Sequence, residues 1–258
     1  MGEAPKPTQR NLTADRTIQL LLLYDDSHPV LSALEVAAKL GMSRSTTYRY
    51  LQSLRSAGLL EEDAAGFRLG PRILQLARIA RRGLGLSEIS IPVMRRLAQE
   101  TGETTLLTRS IGNQVVCLER EESDQHLRLS YERGQLLPAH AGASALVLLA
   151  WLAPEKLDAL LGDGPLERFT EATTTDSQVL RARLAEIRHN GYAVTFGERD
   201  PGVVGIAAPL RGGDGSVVAG LTVVMPQYRL DGNRLRATID TVMAAAAEIS
   251  ERLAGLDI

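Results

Sequence analysis

The sequence predicts an α+β protein: an N-terminal winged helix-turn-helix, a linker helix, and a larger domain built on a mainly antiparallel sheet. Three observations carry this. Two short helical stretches meet at a glycine turn around Gly41, the spacing of a helix-turn-helix. Two short extended pieces then flank Ala64-Ala65-Gly66 as a hairpin. Further on, strand-like runs come in groups instead of alternating singly with helices, which favours an antiparallel over a doubly wound sheet. The length of 258 residues suits one small and one ordinary domain.

Each element has a local reason. Residues 1–12, with Pro5, Lys6, Pro7 and Arg10, lack periodicity and read as a flexible arm. From Thr13, Ile18, Leu21 and Leu22 recur at helical spacing until His28-Pro29. Ser32 and Glu35 have the spacing of a capping box. The helix they open is expected to turn Leu34, Val36, Ala37 and Leu40 inward and to stop at Gly41. Ser43 caps the next helix, which runs to about Ala57 and stops at Gly58. Leu59-Leu60 and Phe67-Arg68-Leu69 form the wing, with Glu61-Glu62-Asp63 between them and the turn. Pro71 suits a helix first turn, and Ile73, Leu74, Leu76, Ala77 and Ala80 keep that helix apolar on one side until Gly83 and Gly85. The expected domains are therefore 13–70 for the winged helix-turn-helix, 71–85 for the linker helix and 86–258 for the remainder.

In that remainder, Ile89–Glu100, Ala141–Leu152, Glu155–Leu161, Ser177–Asn190 and a stretch from Gly232 to Leu253 read as helices. Thr104–Thr108, Val115–Glu119, Leu127–Tyr131, Tyr192–Phe196, Val203–Leu210 and Val217–Val224 read as strands, with Arg211–Gly215 a hairpin turn.

The net charge of −2 conceals an asymmetry. Residues 1–85 hold 12 Lys and Arg against 8 Asp and Glu, a net +4; the remaining 17 basic and 23 acidic residues give −6. The segment that reads as helix-turn-helix is thus the basic one. In its second helix, Thr47, Leu51 and Leu54, with Gly58 beyond, form the inward face. The opposite face carries Arg44, Ser45, Thr46, Tyr48, Arg49 and Gln52. Donor-rich residues on the first turns are what a major-groove reading helix needs. Arginine suits the guanine edge, and hydroxyls hold phosphates. Arg68 on the wing, and Lys6 and Arg10 on the arm, are candidates for the DNA backbone.

Other chemistry is not assembled. No apolar run approaches the roughly 20 residues of a membrane span, and the N-terminus has no apolar stretch for a secretory signal, so a cytoplasmic location is expected. His28, His126, His140 and His189 share no metal-ligand spacing, Cys117 has no partner, and no cofactor is expected. His140 and Ser144 lack a G-x-S-x-G elbow, so His140 reads as a structural loop residue. Cys117 reads as a small buried hydrophobe, and Glu119–Glu122 as a solvated strand end.

The sequence resembles the IclR family of bacterial transcriptional regulators. The resemblance rests on Leu34-Glu-Val-Ala-Ala-Lys-Leu-Gly-Met-Ser-Arg-Ser-Thr-Thr-Tyr-Arg-Tyr-Leu51 and Phe67-Arg-Leu-Gly-Pro-Arg72 in the first half. In the second it rests on Leu137-Pro-Ala-His-Ala-Gly-Ala-Ser-Ala145, Gly191-Tyr-Ala193, Pro201-Gly-Val203, Ile206-Ala-Ala-Pro209 and Gly220-Leu-Thr-Val223. It implies that the larger domain is a GAF-like effector-binding domain. It also implies that dimers or tetramers bind pseudo-palindromic double-stranded operators, and that a small metabolite, usually an organic acid, tunes the binding. The effector loop then falls at Gly142 and Ala143. The family's frequent pocket aspartate falls at Thr195, a frequent cysteine or serine at Gly205, and two strand serines at Thr222 and Val224. Losing these anchors, with Gly205 expected to open space, implies a ligand bulkier or less polar than glyoxylate-like effectors. Glu198, Arg199 and Asp200 lie near the pocket in sequence; they are candidates for holding a cationic or zwitterionic ligand, with exposed loop charges the preferred reading. An enzyme on a GAF-like domain and a non-specific DNA-binding protein are the competing classes. The absence of a nucleophile–base pair or metal set weighs against the first, and the acidic larger domain against the second.

Overall fold

A computed structural model describes residues 12–83, 85–122, 131–162 and 164–255. The chain divides into two compact units at Gly83. Nearly all of the expected arm, 1–12, and the strand expected at 127–131, apart from Tyr131, lie outside the described residues.

The first unit runs α1 (Leu12–Leu21), β1 (Val30–Leu31), α2 (Ala33–Leu40), α3 (Arg44–Ser56), β2 (Leu60–Asp63), β3 (Gly66–Leu69) and α4 (Pro71–Gly83). The capping box forms as the spacing requires. Ser32 Oγ accepts the Glu35 N–H at 3.2 Å, and Glu35 Oε2 accepts the Ser32 N–H at 2.8 Å. Gly41 closes α2 at φ 61°, a left-handed conformation that glycine takes without a Cβ penalty. Antiparallel pairing in the order β1-β3-β2 builds the wing. Leu20, Leu31, Val36, Leu51, Leu54, Leu60 and Phe67 form the core.

The inward assignment of Leu34 fails here, and Ile18 and Leu22 of the periodic face before it are open to solvent as well, Leu22 to 76%. The helix ends at Leu21, earlier than His28-Pro29, so its buried contact is Leu20. Leu23 and Tyr24 fill the rest from the turn that follows. Leu34 lies in the first turn of α2 on the side away from Val36 and Ala37, which are the buried pair. The apolar stripe of α4 also faces outward: Leu74 is 74% exposed, with Leu76 and Ile79 near half.

The second unit runs α5 (Leu86–Thr101), β4 (Thr104–Ile111), β5 (Gln114–Glu121), β6 (Leu136–Pro138), α6 (Ala143–Leu149), α7 (Pro154–Leu161), α8 (Ser177–Asn190), β7 (Ala193–Phe196), β8 (Val203–Arg211), β9 (Val217–Pro226) and α9 (Gly232–Ala254). One antiparallel sheet has the order β6-β5-β4-β9-β8-β7. Alternate residues serve opposite faces, as the two-residue period of a strand demands. Leu106, Cys117, Ala207 and Val224 join α6, α7 and α8 on one face. Leu107, Ile206, Ala208 and Val223 join α5 and α9 on the other. The result is a three-layer unit with a core on each side of the sheet.

Two sequence expectations change in this unit. The short strand β6, with Pro138 at its end, was not anticipated; it pairs only three residues onto β5. The Glu119–Glu122 segment is not a solvated end: Glu119 is buried, with Arg133 Nε 2.8 Å from its carboxylate. The sequence also gave no sign that Glu103 is buried between Arg229 and Arg234, at 3.1 and 2.7 Å, because those partners are more than 100 residues away. Cys117 is fully buried, as expected, and burial pushes its thiol up to about 11. Among the described residues no helix is long and apolar enough to cross a membrane, and no group of acidic, histidine and cysteine residues gathers as a metal site.

Candidate functional site

Helix α3 begins where Ser43 Oγ accepts the Thr46 N–H at 3.3 Å. Its buried residues are Thr47, Leu51 and Leu54, the face expected from the spacing. Ser45, Tyr48, Arg49 and Gln52 recur at i, i+3, i+4 and i+7 on the other side, with Arg44 a turn before Tyr48. Arg44, Ser45, Tyr48 and Arg49 are exposed; Thr46 and Gln52 are half-buried. Thr46 also accepts from Ser43 Oγ at 2.9 Å, which fixes its hydroxyl at the helix start. Tyr48 meets Phe67 of β3 edge-on, with ring centroids 6.4 Å apart, so it ties the helix to the wing.

The arginines of this unit divide into two kinds. Arg68 lies 3.2 Å from Glu61 and 3.4 Å from Asp63, and Arg55 pairs with Glu62. Arg44 and Arg49 have no carboxylate partner among the described residues. Their donors are available to an incoming anion, whereas the wing arginine is already engaged.

The second constellation is a cavity of about 30 Å³ on the α6 face of the sheet. All six residues carried over from the resemblance line it: Gly142, Ala143, Thr195, Gly205, Thr222 and Val224. Register explains the convergence. Thr195 pairs with Gly205, which pairs with Val224, so three strands present one row of residues to the same face. Thr222, paired with Ala207, lies in the next row. Gly142 opens α6 at φ 89°, ψ 153°, which a side-chain-bearing residue rarely adopts. Ala143 N–H donates to Thr195 Oγ1 at 3.1 Å, and the Ser144 and Thr222 hydroxyls are 2.9 Å apart.

Gly205 does not open space. A Cβ there would stand 3.0 Å from the Ala143 Cβ and 3.1 Å from Thr195 Oγ1. The glycine is a close-approach position that lets the start of α6 settle on the sheet. The remaining volume accommodates only one or two waters.

The preferred reading of Glu198, Arg199 and Asp200 as exposed loop charges fails for Glu198, which is buried, and for Arg199, which is half-buried; with the more open Asp200 and with Tyr131, which the sequence did not indicate, they line the cavity. Glu198 is 6% exposed and lies 2.5 Å from Arg183 Nη1. Thr170 and Thr173 hydroxyls donate to the Gly197 and Glu198 carbonyls, each at 2.6 Å, and hold the loop. Tyr131 is buried, its hydroxyl donates to Asp200 Oδ2 at 3.3 Å, and burial pushes its phenol up to about 12. No local motif links Tyr131 to residues 198–200. His140 meets the Glu167 carbonyl at 2.9 Å and its ring lies 5.4 Å from that of Phe169, a structural role as expected.

Residues 13–64 match the IclR helix-turn-helix domain, and residues 80–251 match the bacterial transcriptional regulator IclR C-terminal domain. The chain belongs to the IclR family. It is 36% identical over 238 residues to the HTH-type transcriptional regulator BhcR of Paracoccus denitrificans, spanning 92% of this chain and 85% of that one. An IclR-type regulator from Silicibacter sp. TM1040 superposes with a TM-score of 0.87 at 31% identity, covering 95% and 97% of the two chains. An IclR homologue from Microbacterium hydrocarbonoxydans, solved with 4-hydroxybenzoate, gives 0.81 at 29% identity, covering 95% and 100%. The IclR family is one of transcriptional regulators rather than enzymes, and this chain has its two domains in the same order.

Proposed function

We propose that this IclR-family chain binds a pseudo-palindromic operator as a dimer or tetramer and that a small molecule in the C-terminal cavity tunes the affinity. The observation that carries the DNA reading is the outward face of α3, where Arg44 and Arg49 have no carboxylate partner among the described residues while Arg55 and Arg68 do. Arg44, Ser45, Tyr48, Arg49 and Gln52 address base edges and nearby phosphates. Thr46 and Arg68 contribute secondary backbone contacts. The exposed stripe of Leu74, Leu76 and Ile79 on α4 supports pairing of two copies through that helix. Two-fold symmetry then sets half-sites about one helical turn, roughly 34 Å, or a multiple apart.

The effector site is the row Thr195, Gly205, Val224 with Gly142, Ala143 and Thr222. As it stands the cavity takes a ligand of very few atoms. Occupancy shifts operator affinity only insofar as the ligand prefers one arrangement of the dimer over another.

Selection of fragments from genomic DNA by the purified chain tests the reading. Discrete sites with inverted symmetry are expected; uniform recovery of all fragments would overturn it.

A further inference from the structure

Hydrogen-bonding capacity in the cavity is unevenly used. The Thr195 hydroxyl accepts from Ala143, and the Ser144 and Thr222 hydroxyls share one hydrogen bond, so each oxygen has a partner. Both carboxylates are engaged: Glu198 with Arg183, and Asp200 with the Tyr131 hydroxyl. Arg199 is different. Its Nη1 is buried and makes no hydrogen bond among the described residues. Asp200 Oδ2 stands 3.7 Å from it, attractive as a charge but too far for a hydrogen bond. The guanidinium lies over the Tyr131 ring at 5.0 Å, and its Cβ lies 3.8 Å from where a side chain on Gly142 would begin. The one charged group among the lining residues with a buried donor atom left without any hydrogen bond is therefore Arg199. A buried donor without an acceptor is costly, and what relieves it is an acceptor, best an anionic one.

We propose that Arg199 is the specificity-determining residue of the cavity and takes the ligand's carboxylate. This rests on reading the cavity as the effector site. The planar guanidinium offers paired N–H groups that match the two oxygens of a carboxylate. A cation is less favoured, because it would have to share carboxylates that already face Arg183, Arg199 and the Tyr131 hydroxyl. The Tyr131 ring below and the loop pinned by Thr170 and Thr173 keep the guanidinium in place. The Ser144–Thr222 hydroxyl pair supplies a polar partner for the rest of the ligand.

The test uses the full chain and four probes: pyruvate, 4-hydroxybenzoate, and their amides. Thermal unfolding is followed across a concentration series for the wild type, Arg199→Gln and Arg199→Lys. The wild type is expected to be stabilised by at least one acid and about tenfold less sensitive to its amide. Arg199→Gln should lose that preference while unfolding unliganded within a few degrees of wild type, and Arg199→Lys should keep part of it. If both variants keep the full acid-over-amide preference, Arg199 is not the anchor, although the effector site stands. A wild type stabilised by none of the four overturns the effector reading and this inference together.

Discussion

The outward face of α3 and the cavity beneath α6 do opposite jobs by opposite means. The α3 face is a stretch of nine consecutive residues, Arg44–Gln52, and its functional groups protrude from a helix whose buried side is only Thr47, Leu51 and Leu54. The cavity draws on segments from Tyr131 to Val224 and works by burial. Its glycine at 205 matters for what it lacks, and its arginine matters because Nη1 is unpaired. A surface that must meet DNA tolerates spare donors in water. A pocket must leave its spare donor for a ligand and satisfy the rest internally. On the proposed reading, function follows the exposed donors in the first unit and the unsatisfied donor in the second.

That contrast can be broken in graded steps. The largest effect is expected on association. Replacing both Leu74 and Ile79 by Glu removes two apolar side chains from the proposed α4 seam, about 3–6 kcal/mol if both are fully buried on pairing. Sedimentation should show a smaller species and operator binding should weaken with it; an unchanged assembly would place the seam elsewhere. Next, Gly205→Val forces a side chain against Ala143 and Thr195. Overpacking costs about 1–3 kcal/mol, read as a lower unfolding temperature. Ligand response should be lost while operator affinity without ligand is kept. Loss of both functions would mean that the pocket and the DNA-reading face are not separable. The smallest effect is expected at Arg68. Its pairs with Glu61 and Asp63 limit what a phosphate gains, so Arg68→Ala should change operator affinity by less than about 1 kcal/mol. A larger loss would make the wing a principal contact.

How far the sequence reached differs between the same two regions. Caps and local periodicity are short-range signals, so α2, α3 and α8 could be read from a few neighbouring residues. Ser177–Asn190 was bounded to the residue. Periodicity marks an apolar face without saying what covers it. Leu34, Leu74 and Ile79 were legible as apolar, and their exposure was not. The cavity residues Thr195, Gly205, Thr222 and Val224 came from the family resemblance, and sheet register gives the physical reason they meet. Arg199 stood near the pocket in sequence, but its stacking on Tyr131 escaped because 68 residues separate them and nothing local couples a tyrosine to a charged loop. Glu103 with Arg229 and Arg234 escaped for the same reason.

If α3 reads DNA as proposed, it does so through Arg44 and Arg49. The direct measurement is the affinity of the wild type, Arg44→Ala and Arg49→Ala for one selected operator across a range of salt concentrations. The expected result is a loss of about 1–3 kcal/mol for an arginine that reads a base, on a background where affinity falls steeply with salt. Both variants binding as tightly as the wild type, or a flat response to salt, would contradict it.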